Sequence, residues 1–225
     1  MNKLRWRIAQ FAEQRWWKQY LQHKDKTQYL AWKRQYWTQL LQQLSPPLCL
    51  PAHTPVLDAG CGPAGIFIAL PQCQVHAIDP LLEQYQQNLS HFDPNDYPYV
   101  QFEAVSIEQW QPPTTGYQLI FCLNAINHVA NLPLCIDKLC SALAPDGQLV
   151  MSIDAHNYTV FKQLFRALPG DILHPHQHDL GEYSAMLEQR GLQITQTLRL
   201  KSEWLFDHYL IVGKNRHEMP ENTRF

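Results

Sequence analysis

Thr54-Pro-Val-Leu-Asp-Ala-Gly-Cys-Gly-Pro-Ala-Gly65 opens the stretch that decides the fold, and Val75-His-Ala-Ile-Asp-Pro80 closes it. The apolar pair Val56 and Leu57 ends in Asp58 and meets a turn containing Gly60, Gly62 and Gly65. An apolar helix is expected over Ile66 to Leu70, then a short strand over Val75 to Ile78 that ends in a second acid, Asp79. Strand, glycine turn, helix, strand, acid is the front half of a nucleotide-binding βαβ unit. Glycine lets the backbone turn sharply and approach a ligand closely. An acid at the tip of the second strand can accept hydrogen bonds from two ribose hydroxyls.

The spacing Gly60-x-Gly62-x-x-Gly65 also fits the fingerprint of dinucleotide sites, so it leaves a nicotinamide-dependent oxidoreductase as one reading. Asp58 favours another. The end of the first strand in a dinucleotide site lies near a diphosphate, which a carboxylate would repel. S-adenosylmethionine has no phosphate and carries a sulfonium and an ammonium, both attracted to a carboxylate. Val56-Leu-Asp-Ala-Gly-Cys-Gly62 resembles the first motif of the class I S-adenosylmethionine-dependent methyltransferases, with the third glycine one place later than in the commonest form. Leu143-Ala-Pro-Asp-Gly-Gln-Leu149 resembles that family's turn before strand five, with Asp146 in place of a glycine. Asn127-His128-Val129 resembles the histidine-valine after strand four. The resemblance runs from about residue 54 to 214.

It implies an α/β fold: a doubly wound, mostly parallel seven-stranded sheet, here with an N-terminal helical extension. The rest of the sequence agrees. Val100 to Ser106, Tyr117 to Asn124 and Gln148 to Ile153 read as strands, the second nearly all apolar and suited to a central parallel position. Helices are expected over Pro80 to Leu89, Leu132 to Leu143, Tyr158 to Leu168 and the segment capped by Asp179 with Glu182 and ended by Gly191. Alternating strands and helices demand right-handed crossovers. The closing strands, Gln193 to Leu200 and Tyr209 to Gly213, are joined without a helix and should be antiparallel. Boundaries fall as a basic, aromatic helical extension over 1–45, a proline-rich linker over 46–55, the catalytic domain over 56–214 and a disordered tail over 215–225.

Residues 1–44 carry nine Lys or Arg against two acids, within a chain of net charge −2. Asp25 with Gln28 offers a cap for the second of two helices, on which Tyr29, Trp32, Tyr36 and Leu40 recur at helical spacing. Three uses compete for this segment: packing on the domain, a lid over the ligand pocket, and peripheral contact with an anionic membrane. Nucleic acid is not expected, since the remaining acidic domain would oppose phosphate. The six cysteines lack Cys-x-x-Cys spacing and read as buried small hydrophobes in a reducing compartment. No apolar run approaches a membrane span and no signal-peptide pattern is present, so a cytoplasmic chain is expected.

By resemblance, Asp58, Gly60, Cys61 and Gly62 line the methionine part of the cofactor and Asp79 holds the ribose, with Pro80 beside the adenine. Ser106 and Ile107 touch the adenine, and Leu123 with Asn124 ends strand four beside the ammonium. A small-molecule acceptor, apolar or aromatic, would contact Tyr36 and Trp37. His174, His176 and His178 would form its wall; alternate histidines on a loop are weak evidence for a metal, and none is assigned. A base is needed only if the acceptor loses a proton, and His128, Asp154 and His156 stand at the right sheet edge for that role. A non-catalytic S-adenosylmethionine-binding module is the remaining alternative.

Overall fold

The computed structural model describes residues 3–45, 47–48, 50–156, 178–202 and 206–215. The expected helix over Tyr158 to Leu168, the expected tail beyond residue 215, Cys49, His174 and His176 lie outside them, while Asn215, counted in that tail, ends a strand. Seven strands form one sheet: β1 Pro55–Ala59, β2 Gln74–Ile78, β3 Val100–Glu103, β4 Tyr117–Cys122, β5 Leu143–His156, β6 Leu192–Ser202 and β7 Phe206–Asn215, in spatial order β3-β2-β1-β4-β5-β7-β6. The first five are parallel and β7 runs antiparallel between β5 and β6. The order reverses beside β1, whose parallel neighbours are β2 on one side and β4 on the other. That is where open α/β sheets bind ligands, outside the carboxyl ends of the strands.

The central strands are buried on both faces, as near-continuous apolar strands require, while the edge strands β3 and β6 alternate with exposed positions. One face packs Val56, Phe121, Val150 and Leu210 beneath Leu21 of the N-terminal helix α1 (Lys3–Leu21) and Tyr29, Trp37 and Leu40 of α2 (Lys26–Gln42). The other packs Leu57, Ile120 and Ile211 beneath α4 (Leu132–Ser141) and α5 (Leu180–Glu188). Helix α3 (Leu82–Asn88) follows β2. Four of the five described cysteines are buried, and none of the five is in a disulfide.

Three local departures from the sequence reading have physical causes. The helix expected over Ile66 to Leu70 is a pair of 3₁₀ turns, Gly62–Ala64 and Ile66–Ala69, separated by an extended Gly65. Gly65, extended between the two turns, interrupts the helical backbone, and Pro71 ends the segment. Helix α2 packs over this gap instead: the Trp37 indole N–H donates to the Ala64 carbonyl at 3.0 Å and Arg34 Nε donates to the Ile68 carbonyl at 3.2 Å. Next, β3 stops at Glu103, because the Val105 N–H turns back to the Glu103 carbonyl at 3.0 Å, so Ser106 and Ile107 sit in the following turn. Last, β5 begins at Leu143, five residues early, and the Pro145-Asp146-Gly147 motif lies inside it as an irregularity opposite Tyr117 to Leu119. Asp146 takes the left-handed φ of 60° there, a conformation short polar side chains tolerate.

The two expected end helices of the extension exist, and Asp25 caps α2 through the Gln28 N–H at 2.9 Å. Trp37→Phe is expected to cost about 1–2 kcal/mol by leaving the Ala64 carbonyl without its donor. Urea unfolding of that variant beside the native chain measures it; an unchanged midpoint would show that the indole hydrogen bond adds nothing to the hold on α2.

Candidate active site

The carboxyl ends of β1, β2 and β4 enclose a cavity whose roof comes from α1 and α2. Its floor is the glycine turn. Gly60 adopts φ 72°, and a Cβ there would lie 2.3 Å from that of Ala125, so the turn and the segment after β4 close on each other through this one position. Gly65 has an ordinary φ but no room: a Cβ would meet Asp58 Oδ2 at 2.5 Å. The Asp58 carboxylate has folded back onto its own turn, where Oδ2 accepts the Phe67 N–H at 3.1 Å.

Asp79 binds the same turn from the other side. Oδ2 accepts the Gly62 N–H at 3.0 Å and Oδ1 accepts the Leu81 N–H at 2.8 Å. A carboxylate has about four acceptor sites. One bond on each oxygen leaves capacity for a pair of neighbouring hydroxyls.

Burial pushes the Asp58 carboxyl up to about 7, against the Phe67 N–H and the charge of Lys33, which both pull it down. Burial also pushes Asp79 up to about 7, with the Glu13 charge adding to the rise. Lys33 is lowered to about 8 by burial, opposed by Asp58. Its ammonium lies 4.2 Å above the Trp37 ring. Among the described residues that line the cavity, Glu13, Asp58, Asp79 and Glu108 carry carboxylates and Lys33 an ammonium. Desolvated carboxylates of this kind lower their own cost by taking up a cation.

Asp58, Gly60, Cys61, Gly62, Asp79, Pro80, Ser106, Ile107, Leu123, Asn124, Trp37 and His128 all line this one cavity. Asn124 holds a left-handed φ of 54°, and its N–H is taken by Ser152 Oγ at 2.7 Å. Asn, like Asp146, tolerates this conformation, which turns the chain away at the end of β4. Tyr36, Asp154 and His178 stand elsewhere. Tyr36 follows Trp32 on the outer surface of α2, because adjacent helix positions diverge by about 100° and Trp37 is the one turned inward. Asp154 lies on β5 and pairs with His208 of β7. His178 precedes α5, with its Nδ1 3.2 Å from Glu182. The His156 side chain is outside the described part, as are His174 and His176.

Four polar or aromatic contributors were not foreseen in the sequence: Gln10, Glu13 and Trp17 from α1 and Lys33 from α2. Glu108, two residues beyond the place where the resemblance puts an acid near the adenine, also lines the cavity and holds the segment after β4 by accepting the Ala130 N–H at 2.6 Å. Trp17 and Lys33 stand at helical spacing with other aromatic and basic residues, so only the direction each helix faces singles them out. His208 was missed for a related reason: its partner Asp154 is 54 residues away and the two meet only through strand pairing.

The methyltransferase-domain family matches residues 29–197, a span that takes in α2 as well as the glycine turn. A curated relative from Papaver bracteatum, a probable (S)-tetrahydroprotoberberine N-methyltransferase 2, is 28% identical over 120 residues, which are 52% of this chain and 33% of the relative. The chain thus spans about a third of that relative's length. Among solved structures, YcgJ from Bacillus subtilis superposes with a TM-score of 0.65 at 17% identity, covering 80% of this chain and 98% of its own. The N-methyltransferase NodS from Bradyrhizobium japonicum, in complex with S-adenosyl-L-homocysteine, gives 0.59 at 19% identity, covering 82% and 87%. At these identities the structural likenesses establish the fold.

Proposed function

We propose, from the premise that this chain belongs to the methyltransferase-domain family, that it transfers the methyl group of S-adenosylmethionine to a small-molecule acceptor of apolar or aromatic character. The observation that carries the reading is the charge of the cavity, four carboxylates against one ammonium. A dinucleotide would bring a diphosphate into that field; S-adenosylmethionine brings a sulfonium, an ammonium and a single carboxylate. The cavity fits it sign for sign. This argues against the nicotinamide-dependent alternative.

Asp79 would hold the ribose hydroxyls with the acceptor capacity left after its two backbone bonds. Pro80, Ser106 and Ile107 would flank the adenine, with Gly60, Cys61 and Gly62 lying under the amino-acid part. Asp58 and the end of β4, Leu123 and Asn124, would face its ammonium. Lys33 suits its carboxylate. The bound cofactor supplies an activated methyl group on sulfur, so the protein's work is alignment and exclusion of water. Trp17 and Trp37 cover the cavity from the helix side and keep water out.

A proton needs a destination only when the acceptor loses one on attack. His128 lines the cavity and is the group placed to take it there. Asp154, held to His208, stands further along the same sheet edge, beyond Ser152 and its bond to Asn124; His156 follows it on β5. The relative named for N-methylation of a small molecule supports an acceptor of that size.

Titration calorimetry with S-adenosylhomocysteine and with NADH tests the reading. Binding of the first, without binding of the second, is expected; NADH binding alone would overturn it. Release of S-adenosylhomocysteine during incubation with at least one fraction of a metabolite extract separates an enzyme from a non-catalytic binding module.

A further inference from the structure

We propose that the outward face of α1 and α2 is a docking surface for an anionic lipid bilayer. Among the described residues, five large hydrophobic side chains are exposed, and four of them, Phe11, Trp16, Trp32 and Tyr36, lie on these two helices. Trp16 and Trp32 are 52% and 51% exposed. They are the exposed ends of one aromatic strip whose middle, Tyr29, is buried against the domain. Trp16 stacks on Tyr20 at 4.8 Å between ring centroids, Tyr20 meets Tyr29 across the helix junction at 6.2 Å, Tyr29 meets Trp32 at 5.9 Å, and Trp32 meets Tyr36 at 6.1 Å. Exposed apolar surface this concentrated is rare unless something covers it.

The charge around the strip selects the occupant. Lys24, exposed at the helix junction, holds its ammonium 4.5 Å over the Tyr20 ring. Arg15 and Lys18 are exposed on α1 as well. The two acids of residues 1–44 oppose this little. Glu13 is turned to the Tyr85 hydroxyl and the cavity, and Asp25 is engaged as the α2 cap. Tryptophan and tyrosine favour the headgroup region of a bilayer, and Lys or Arg beside them adds attraction to anionic lipid. No described helix is long and apolar enough to cross a membrane, so contact would be in the interfacial plane.

The strip adjoins the site. Trp16 and Tyr36 touch Trp17 and Trp37 at 4.9 and 4.8 Å, and those two rings line the cavity. Docking would place the cavity roof against lipid, where an apolar acceptor dissolves; that consequence rests on the methyl-transfer reading, whereas the surface does not.

The full chain is mixed with vesicles of phosphatidylglycerol and phosphatidylethanolamine, and separately of phosphatidylcholine, and bound protein is measured by flotation. At least tenfold stronger partitioning to the anionic vesicles is expected, falling at high salt. Trp16→Ser with Trp32→Ser should lower it at least tenfold while melting temperature and S-adenosylhomocysteine binding stay unchanged. No flotation, or equal flotation of the double variant, overturns the proposal. So does a homodimer, detected by light scattering, that the same substitutions dissociate, because a second copy would then own the face. Loss of S-adenosylhomocysteine binding in the native chain would end the methyl-transfer reading and leave the flotation result standing.

Discussion

Asp79→Ala is expected to lower affinity for S-adenosylhomocysteine at least about a hundredfold in titration calorimetry. Two hydrogen bonds from ribose hydroxyls to a charged acceptor contribute about 1.5–3 kcal/mol each, and about 1.4 kcal/mol is a factor of ten. The substitution has a second effect. The Gly62 and Leu81 N–H groups both donate to this carboxylate, so removing it also loosens the glycine turn that forms the cavity floor. Asp79→Asn separates the two contributions, since it keeps one acceptor oxygen for the backbone and loses the charge. Affinity within threefold of native in a normally melting Asp79→Ala protein would make Asp79 a turn anchor and remove it from ribose binding.

Raising the pH from 5 to 7 is expected to destabilise the ligand-free protein. Asp58 and Asp79 both rise from an ordinary 3.8 to about 7 on folding, so the folded state holds their protons more tightly. Stability from such a group is complete below its unfolded value and is lost as pH climbs through the folded one. Each group's slope is about 1.4 kcal/mol per pH unit in that window. His76 acts in the opposite sense. Burial lowers it from 6.5, against the nearby Glu103, so it costs stability as pH falls below that point. Two carboxylates against one imidazole leave a net loss, measured as a falling thermal midpoint. Asp79→Asn should flatten the curve.

Cationic S-adenosylmethionine needs both carboxylates ionised, so its stabilising effect should grow over the same interval. Lys33→Met removes the cation that holds Asp58 down and should extend the fall above pH 7. A flat thermal midpoint in the native chain between pH 5 and 7 would show that these carboxylates are not desolvated as the cavity geometry requires.

The glycine turn was legible because its constraints are local. Gly60 is marked by its own left-handed backbone angle, and Asp58 and Asp79 stand at strand ends that apolar runs mark in any βαβ unit; the close approach of Ala125 to Gly60 was not in the sequence. Strand direction followed from chain connectivity, since parallel strands need crossovers and the helix-free closing pair does not; the order of the strands did not. The capping of α2 by Asp25 and of α5 by Asp179 with Glu182 was readable for the same reason: each bond spans three residues.

Helix formation at Ile66 to Leu70 could not be judged from its apolar residues, because what packs there is α2, supplied from more than twenty residues upstream. Tyr36 and Trp37 are neighbours of equal promise in the sequence, and a rotation of about 100° sends one to solvent and one into the cavity.

The sequence by itself determined the parallel strands, the glycine turn and the two acids that flank it, since apolar runs, connectivity and glycine's backbone freedom are written in residue type. Tertiary structure alone decided that Glu13, Trp17 and Lys33 join those acids, that Asp154 meets His208, and which aromatic rings remain outside. Those choices depend on where whole helices and strands come to lie, and side-chain type carries no record of that until the elements have packed.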